Sequence, residues 1–434
     1  MKTETREPVI LPRSAHPISR KEIDPDALKV LYRLNRSGFK AYLVGGAVRD
    51  LLLRKKPKDF DVATDARPGQ IKKLFGNCFL IGRRFRLAHI RFKGGKIIEV
   101  ATFRREPEET AEGEAETETD RNNTFGTPRE DAFRRDITIN ALFYDIATFS
   151  IIDYVGGLED ISQRKVCIIG DPSERYIEDP VRIWRVLRHA ARHNFTIEEK
   201  TARAIETHRE LMAKCSGARL FEELNRDLSS GFASPFFRLL ATYKVLPIVL
   251  GEIGRKIEQT DGKKDDLFKL LSILDGAMRR GETRSQDVSY GILFWPWVQW
   301  ALLEKGHLPG DKMKLLTDEF MASTMSITIP KGLRSNIINT LYILDRMMHA
   351  MQTGRMKWTL TKRARYSDAV TVFSLLEYGL IKHGEDSFVA AFKMKFPAQK
   401  GMGHHRRKRH SRYRNGAPAI TKMHHDNVII TSSR

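Results

Sequence analysis

The sequence predicts an α+β protein in which a strand-rich N-terminal part precedes a helical C-terminal half. Between residues 39 and 152, short apolar runs alternate with polar residues and are separated by turn-forming glycines, as in neighbouring strands of a sheet. From Glu178 onward, apolar residues such as Val181 and Trp184 recur at the spacing of an amphipathic helix. A sheet and a helical assembly in separate parts of one chain is the α+β arrangement.

The composition indicates a polyanionic partner. The chain has 434 residues, with 75 Lys and Arg against 54 Asp and Glu, which gives a formal net charge of +21. This length suffices for about two to four domains with their own cores. The excess of positive charge favours nucleic acid as the partner. The segment 403–414 is strongly basic and almost free of apolar residues, so we expect it to belong to a flexible tail.

The sequence lacks the usual signs of a membrane or secreted protein. It has no run of roughly eighteen apolar residues and no apolar core near the N-terminus, so we expect neither a transmembrane helix nor a signal peptide. Its three cysteines, Cys78, Cys167 and Cys215, are widely spaced. This usage favours a reducing compartment over a disulfide framework or a zinc site, and we expect a cytoplasmic protein.

A glycine pair follows the first predicted strand and opens a short predicted helix over 47–53. Gly45 and Gly46 lack a Cβ, so the backbone there can turn tightly and approach a ligand. The N-terminal amides and the dipole of the helix favour a phosphate at this position. Arg49 lies within the helix, and we interpret it as a contact to phosphate or to a structural carboxylate rather than as an ordinary surface arginine.

Two aspartates, one residue apart, lie on the next predicted strand. Asp59 and Asp61 would point to the same side because alternate residues of a strand share a face, while Phe60 would point into the core. Two carboxylates on one face can bind a pair of Mg²⁺ ions that hold the attacking and leaving oxygens in phosphoryl transfer. An Asp-x-Asp alone is common at strand ends and turns, but the nearby glycine pair favours metal binding.

Two further charged stretches are candidates for the same site. Glu99 lies within an apolar predicted strand, where it is either a third metal-site carboxylate or the partner of Arg104 or another arginine. Arg134 and Arg135 could bind a triphosphate, which the forked guanidinium group suits. Asp136 could accept from a ribose hydroxyl or join the carboxylates. The alternative for these three residues is a surface charge cluster that caps an element.

A possible base-reading pair lies at the start of the helical half. Asp179 and Arg182 are three residues apart, and we expect them to share a helical face, with Pro180 in the first turn. A carboxylate can accept from an exocyclic amine of a base, and a guanidinium can donate to a ring nitrogen. The alternative is a helix cap combined with an intrahelical ion pair.

Together these residues resemble the class II nucleotidyltransferases, the family of bacterial poly(A) polymerases and CCA-adding enzymes within the polymerase β superfamily. The resemblance covers about residues 39–201. It rests on four motifs in the family order, namely Gly45-Gly46-x-x-Arg49-Asp50, Asp59-x-Asp61, Arg134-Arg135-Asp136 and Glu178-Asp179-x-x-Arg182. The stretch 78–89 and the basic tail look like the bacterial poly(A) polymerase version.

The resemblance implies a role for each candidate residue. It implies that Asp59 and Asp61 bind two Mg²⁺ ions, that Asp136 completes the acidic set and that Glu99 is a further metal ligand. For ATP, it implies that Gly45, Gly46 and Arg49 form the triphosphate site. Arg134 and Arg135 would contact phosphate or sugar. Asp179 and Arg182 would select adenine. The protein rather than a template would then specify the added base.

The resemblance also implies a division of the chain. We expect a flexible N-terminal segment over 1–23, a polymerase β-like nucleotidyltransferase head over 24–153 with a disordered acidic loop at 106–120, an all-α neck over 154–228, a helical RNA-binding body over 229–395 and a disordered basic tail over 396–434. Basic helical domains and a basic tail would hold RNA through its backbone.

The implied function is template-independent addition of AMP from ATP to RNA 3′ ends, in mRNA processing and decay. RNA-decay or RNA-chaperone proteins are the candidate protein partners. Two alternatives remain. A CCA-adding tRNA nucleotidyltransferase would share every residue named above, and nucleotide choice separates the two enzymes. A non-catalytic RNA-binding protein on the same fold would bind RNA without turnover.

Overall fold

The structure is a computed structural model that describes most of the chain between residues 7 and 380. The described residues are 7–82, 87–105, 125–259, 263–282, 284–305, 314–315, 317–318, 321, 326–353 and 358–380. The acidic loop expected at 106–120 and the basic tail expected at 396–434 lie outside them. The mixed fold predicted from the sequence is confirmed, with a sheet in the N-terminal part and helices after it.

One eight-stranded sheet organises the N-terminal part. Its strands are β1 (Val9–Leu11), β2 (Ala41–Val44), β3 (Asp61–Thr64), β4 (Cys78–Ile81), β5 (Leu87–Arg91), β6 (Ile97–Thr102), β7 (Leu142–Asp145) and β8 (Ile151–Asp153). They are ordered β1-β8-β7-β2-β3-β6-β5-β4. The β3–β6 pair is parallel and the other neighbours are antiparallel. The two edges of the sheet are therefore β1 and β4.

The two faces of the sheet are covered differently. Helices α1 (Pro25–Arg36), α2 (Gly46–Leu52) and α3 (Pro68–Leu74) pack on one face and form a core with alternate strand residues such as Leu43, Val62 and Val100. On the second face, α4 (Pro128–Phe133) packs on β2, β3 and β7 in a smaller cluster. The α1 start was predicted from Asp24 and Pro25, and the Asp24 side chain does accept from the first-turn amides.

The expectation of a flexible segment over 1–23 is wrong for residues 7–23. Strand β1 pairs with β8, and Ile18 and Ile23 are buried in the core under the sheet. The apolar run of β1 is only three residues long and is followed by Pro12, so it lacks the alternation by which longer strands are recognised. Pairing with the rest of the sheet, rather than local pattern, orders this segment.

The remaining described chain is mainly helical, as predicted, although one small strand pair lies within the neck that was expected to be all-α. Its helices are α5 (Gly157–Ser162), α6 (Pro172–Glu178), α7 (Val181–His193), α8 (Glu199–His208), α9 (Gly217–Leu228), α10 (Ala233–Thr242), α11 (Leu246–Leu250), α12 (Glu252–Gln259), α13 (Lys263–Arg279), α14 (Gln286–Lys305), α15 (Lys331–Thr353) and α16 (Tyr366–Leu380). A small parallel pair, β9 (Lys165–Val166) and β10 (Thr196–Ile197), lies beside α7. None of the described helices combines the length and apolar character that crossing a bilayer requires.

Helix α7 joins the sheet to the helical part. Its buried Arg188 donates to Asp227 of α9 at 2.6 and 2.8 Å, and Trp184 donates to the same carboxylate at 2.6 Å. Ile183 of α7 and the apolar residues around it belong to a core that extends from Ile137 to α16. An ion pair in such surroundings requires both partners, because either charge alone would remain buried and uncompensated. The position of α7 relative to α9 is thereby fixed.

His193, on α7, gives an expected pH dependence of folding. It is buried, stacks on His189 at 5.9 Å, and neither of its ring nitrogens has a hydrogen-bond partner within the described chain. Burial, followed by the charges of Arg49 and Lys55, lowers its pKa to about 2. The unfolded chain takes up a proton here below about pH 6.5, whereas the folded chain does not. Stability is therefore retained above that pH and lost as the pH falls towards the folded pKa.

We expect His193→Phe to weaken this acid dependence. The unfolding free energy should fall less steeply between pH 6.5 and 5, by about 1.4 kcal/mol per pH unit, because one proton uptake is removed. Urea unfolding at several pH values measures the slope. His208→Phe on α8, which is only half-buried, is the matched control. An unchanged slope in His193→Phe would contradict the assignment of a neutral buried histidine.

Candidate active site

The glycine turn between β2 and α2 has the conformation that its sequence requires. Gly45 has φ of +69°, where a residue with a side chain would be strained. A Cβ on Gly45 would lie 3.4 Å from Nη1 of Arg135, and one on Gly46 would lie 3.3 Å from Nη2 of Arg49. Two guanidinium groups therefore lie against the turn. The predicted helix begins at Gly46 and ends at Leu52, close to the expected bounds.

Arg49 is held within the protein. Its guanidinium donates to Oδ1 of Asp50 at 3.0 and 2.8 Å and also contacts Asn140 Oδ1 and His189. Burial lowers its pKa, and Asp50 partly offsets that effect. These contacts match the structural-carboxylate interpretation of Arg49. Its contact with a triphosphate stays a prediction.

The carboxylates meet beside the glycine turn. Asp61 opens β3 opposite Val44, the residue that precedes Gly45. The parallel register between Val62 and Val100 places the preceding residues, Asp61 and Glu99, on adjacent strands at the same level. The Asp61 side chain is open to solvent, but the protein atoms around its carboxylate remove part of its hydration. This loss of hydration, then the charges of Glu99 and Asp59, raises the pKa of Asp61 to about 6, while Arg135 opposes the shift. The structure thus brings together three of the predicted carboxylates and one predicted arginine.

Asp59 differs slightly from its expected position. The strand begins at Asp61, so Asp59 lies in the preceding loop rather than on the strand. Both aspartates are nevertheless exposed, and Phe60 between them packs against the core as predicted. The turn before Pro57 and Pro57 itself delay the start of β3, so the chain pairs with β2 only from Asp61 onward. The two carboxylates remain accessible to ligands.

The acidic cluster is chemically suited to a divalent cation. Within the described residues, no three His, Cys, Asp or Glu side chains form a ready-made metal cage. However, Asp61 feels the repulsion of Glu99 and Asp59, which a cation would relieve. Carboxylate oxygens are the ligands that Mg²⁺ prefers, and Mg²⁺ usually takes only one or two of them with substrate phosphates. The residues present fit such an ion.

Glu99 has a neighbour that the sequence did not indicate. Its Oε1 lies 3.4 Å from Nε2 of His89 on β5, the residue directly opposite in the register. The alternative of an ion pair with Arg104 or another arginine stays a prediction. Ile98 and Val100 point to the opposite, buried face, as predicted. Glu99 therefore remains on the carboxylate face of the sheet.

The three residues of the predicted Arg134-Arg135-Asp136 motif contact different parts of the protein. Arg135 donates to Asp131 at 3.1 and 2.9 Å and to the carbonyl oxygen of Asn140, which holds it beside Gly45. Arg134 ends α4, and its carbonyl oxygen accepts from Arg175 at 3.0 Å. Asp136 is ion-paired with α7, so the three neighbours in sequence face different partners.

Asp136 binds two arginines of α7. Arg182 Nε donates to it at 3.0 Å, and Arg185 Nη1 donates to its other oxygen. Burial alone would raise the pKa of Asp136, but Arg185 and Arg182 outweigh burial and lower it. The sequence did not indicate Arg185 because it is 49 residues away. Asp136 therefore stays ionised and links the sheet to α7.

Asp179 and Arg182 do not share a helical face. Asp179 lies between α6 and α7 in an extended conformation, and α7 begins only at Val181. Arg219 of α9 donates to both oxygens of Asp179, at 2.9 and 2.7 Å. Arg182 donates instead to Asp136 and to Glu178 at 2.6 Å. The intrahelical ion pair between Asp179 and Arg182, which was considered as the alternative, does not form. The sequence did not predict helix α6.

Comparisons with known proteins agree with this arrangement. Residues 41–167 match the family profile described as "Poly A polymerase head domain", and residues 194–256 match "Probable RNA and SrmB- binding site of polymerase A". A poly(A) polymerase I of Salmonella typhi is 40% identical over 381 residues, which cover 85% of this chain and 81% of that protein. A CCA-adding enzyme of Bacillus pumilus is 35% identical over 220 residues, 50% of this chain and 53% of that protein.

A solved structure shows the same fold. The Bacillus stearothermophilus CCA-adding enzyme in complex with CTP superposes with a TM-score of 0.62 at 22% identity, and the match covers 86% of this chain and 82% of that chain. At this identity the likeness concerns the fold. The overall fold is therefore shared with that CCA-adding enzyme.

Proposed function

Because the chain belongs to the family of bacterial poly(A) polymerases and CCA-adding enzymes and is a nucleotidyltransferase that extends RNA 3′ ends, we propose that it adds AMP from ATP without a template. Its role would be polyadenylation in mRNA processing and decay. The single observation that carries the proposal is the meeting of Asp61, Glu99 and Asp59 beside the Gly45 turn and Arg135. That combination places cation ligands next to groups that can donate hydrogen bonds to phosphate.

The carboxylates would hold the cations of the proposed reaction. Asp59, Asp61 and Glu99 are the residues that would bind two Mg²⁺ ions. Bound there, such ions would lower the pKa of the RNA 3′-hydroxyl and would offset the negative charge that develops as pyrophosphate leaves. The accessibility of both aspartates supports this role, since RNA and ATP must reach them. The two arginine contacts of Asp136 favour its positioning α7 over its binding a cation.

The triphosphate would lie between the glycine turn and the arginines. The backbone at Gly45 and Gly46 can approach phosphate closely because no side chain is present. Arg135 already lies against Gly45, and Arg134 follows α4 next to it. Two adjacent arginines suit phosphate oxygens, to which guanidinium groups donate in pairs. Arg49 would contribute by holding the glycine turn in position.

Adenine would be selected where α6 meets α7. Asp179 is oriented by Arg219 and retains carboxylate lone pairs that can accept from an exocyclic amine. Arg182 is oriented by Asp136 and Glu178. Side chains fixed in this way discriminate strongly, because the wrong base leaves their polar groups unpaired. The similarity to poly(A) polymerase I over most of the chain favours adenine alone over the C-then-A choice of a CCA-adding enzyme.

RNA would be held largely through its backbone. The net charge of +21 supports this, and so does the family profile over 194–256, whose description names RNA and a protein, SrmB. RNA-decay or RNA-chaperone proteins are accordingly the proposed protein partners. The proposed compartment is the cytoplasm, where mRNA is available.

We expect removal of residues 403–434 to weaken RNA binding. The segment 403–414 contains six Lys or Arg residues. Loss of their phosphate contacts should flatten the slope of log K against log salt by up to about 4. Filter binding of single-stranded RNA at several salt concentrations measures the slope. A full-length chain with those six residues changed to Gln should behave like the truncation, and a wild-type slope in both would contradict the role.

The enzyme proposal is tested by incorporation of labelled ATP into a short RNA. The proposal predicts 3′ extension and release of one pyrophosphate per AMP, both dependent on Mg²⁺ and stopped by EDTA. RNA that is bound tightly but never extended, with any divalent cation, would support the non-catalytic alternative instead.

A further inference from the structure

Among the described residues, no helix covers part of one sheet face next to the carboxylates. The second face is covered by α4 over β2, β3 and β7, where Phe103 and Phe143 are buried. Beyond β3, the same face continues across β6, β5 and β4 without a covering helix in the described chain. The side chains that alternate onto this part are exposed or half-exposed. The open part therefore begins at Glu99 and ends at the sheet edge.

Large apolar side chains are exposed there. Phe79 and Ile81 of β4 are 48% and 43% exposed, and Ile97 of β6 is 42% exposed. Their neighbours in the strands, Cys78 and Ile98, point to the other face and are buried. We call Phe79, Ile81, Arg91 and Ile97 the outer ledge. Exposed apolar side chains grouped on one sheet face are a feature of interaction sites.

The register links the outer ledge to the carboxylates. Phe79 lies directly opposite His89, and His89 lies directly opposite Glu99. Adjacent strands are about 4.8 Å apart, so Phe79 lies about 10 Å from Glu99 along the sheet. That span equals roughly three stacked bases at 3.4 Å each. A strand whose 3′ end is at the carboxylates can thus reach Phe79 with its third base or so.

The charge of the outer ledge fits a polyanion. The Arg91 guanidinium lies 4.3 Å from the centre of the Phe79 ring and has no ion-pair partner in the described parts of the chain. Lys93, in the turn after β5, is exposed as well. Aromatic rings and guanidinium planes on an open sheet are surfaces on which unpaired bases stack, while the cations contact phosphates.

We propose that the outer ledge is a binding platform for single-stranded RNA, on which the bases next to the 3′ end stack against Phe79 and Arg91. This rests on the proposed function, because it places the 3′-hydroxyl at Asp61 and Glu99. It adds positioning residues to the site. Contact through base faces has no sequence preference, so each newly added nucleotide presents the same stacking surface to the ledge.

A duplex would not fit this description. Its bases are already stacked and paired, and its backbone would meet the apolar side chains of Ile81 and Ile97 instead of charged groups. The platform therefore predicts that an unpaired 3′ end several nucleotides long is the preferred substrate, and that a blunt end is a poor one.

The test uses the full chain and a short single-stranded RNA that carries 2-aminopurine as its third base from the 3′ end. Stacking quenches the fluorescence of this base analogue. We expect the wild-type protein to quench it, and Phe79→Ala to lose the quenching and raise KM for RNA about 5- to 100-fold, which corresponds to one base stack. KM for ATP should change less than about twofold, and Phe79→Trp should restore both properties.

The control is Ile10→Ala on β1, at the opposite edge of the same sheet. Ile10 is 60% exposed, so its loss removes a comparable apolar group far from the carboxylates. It should leave quenching and KM unchanged. Three results would each overturn the platform: wild-type quenching and KM in Phe79→Ala, a KM for a blunt duplex equal to that for the single strand, or a dimer that Phe79→Ala converts to a monomer. Because quenching is read without turnover, its outcome is separate from any failure of ATP incorporation.

Discussion

Asp61→Asn is expected to reduce AMP incorporation about a thousandfold or more while RNA affinity stays within about twofold. The substitution keeps the shape of the side chain and removes the charge that a divalent cation requires. Metal ions contribute several kcal/mol of transition-state stabilisation in phosphoryl transfer, and each 1.36 kcal/mol is a factor of ten in rate. Asp61 is exposed at the start of β3, so the fold should not suffer. Single-turnover incorporation and filter binding measure the two quantities.

The matched control lies just beyond the other end of the same strand. Asp65 is also exposed, and its carboxylate accepts from the backbone of Lys40 rather than facing Glu99. Asp65→Asn should incorporate AMP at the wild-type rate. Asp59→Asn should resemble Asp61→Asn, because both charges belong to one cluster. Full activity in either Asp59→Asn or Asp61→Asn would exclude that residue as an essential cation ligand.

The second large effect concerns base choice. Arg182→Ala and Asp179→Ala should each reduce the preference for ATP over the other three nucleotides about 100-fold, measured as the ratio of kcat/KM values. The reason is that each side chain is held by partners from another element, Asp136 for Arg182 and Arg219 for Asp179. A pocket that loses one fixed polar group no longer penalises the wrong base by leaving that group unpaired.

Overall activity helps to separate the two variants. Arg182→Ala also removes one of the two arginines that bind Asp136, so its rate with ATP should fall further than that of Asp179→Ala. The control is Arg203→Ala on α8, an exposed arginine paired with Glu199 one turn away. It should keep both rate and preference. If Asp179→Ala and Arg182→Ala both retain the wild-type nucleotide ratios, adenine is selected elsewhere.

Local chemistry made the elements around the site predictable. The Gly45 turn requires a positive φ that only glycine adopts without strain, and the Asp24 cap with Pro25 marks a helix start by its own hydrogen bonds. Phe60 between two aspartates indicates one buried and one open side of the chain, which the structure confirms. In each case the cause lies within a few residues of the effect.

The partners of the charged residues could not be predicted in the same way. Arg185 lies 49 residues from Asp136, and Arg219 lies 40 residues from Asp179. The same applies to His89, which meets Glu99 only through strand register. A charge in a sequence specifies that a partner is needed but not which one, since the choice depends on how strands and helices pack. Residues 7–23 illustrate the same limit, because their order comes from pairing with β8.

The most direct measurement offers labelled ATP, CTP, GTP and UTP, singly and together, to the wild-type protein with a generic single-stranded RNA and with a tRNA that lacks its 3′ end, and then sizes the products. The proposed function predicts long extensions from ATP on both RNAs and little from the other nucleotides. Addition of cytidine followed by a single adenosine, confined to the trimmed tRNA, would contradict polyadenylation and identify the CCA-adding alternative.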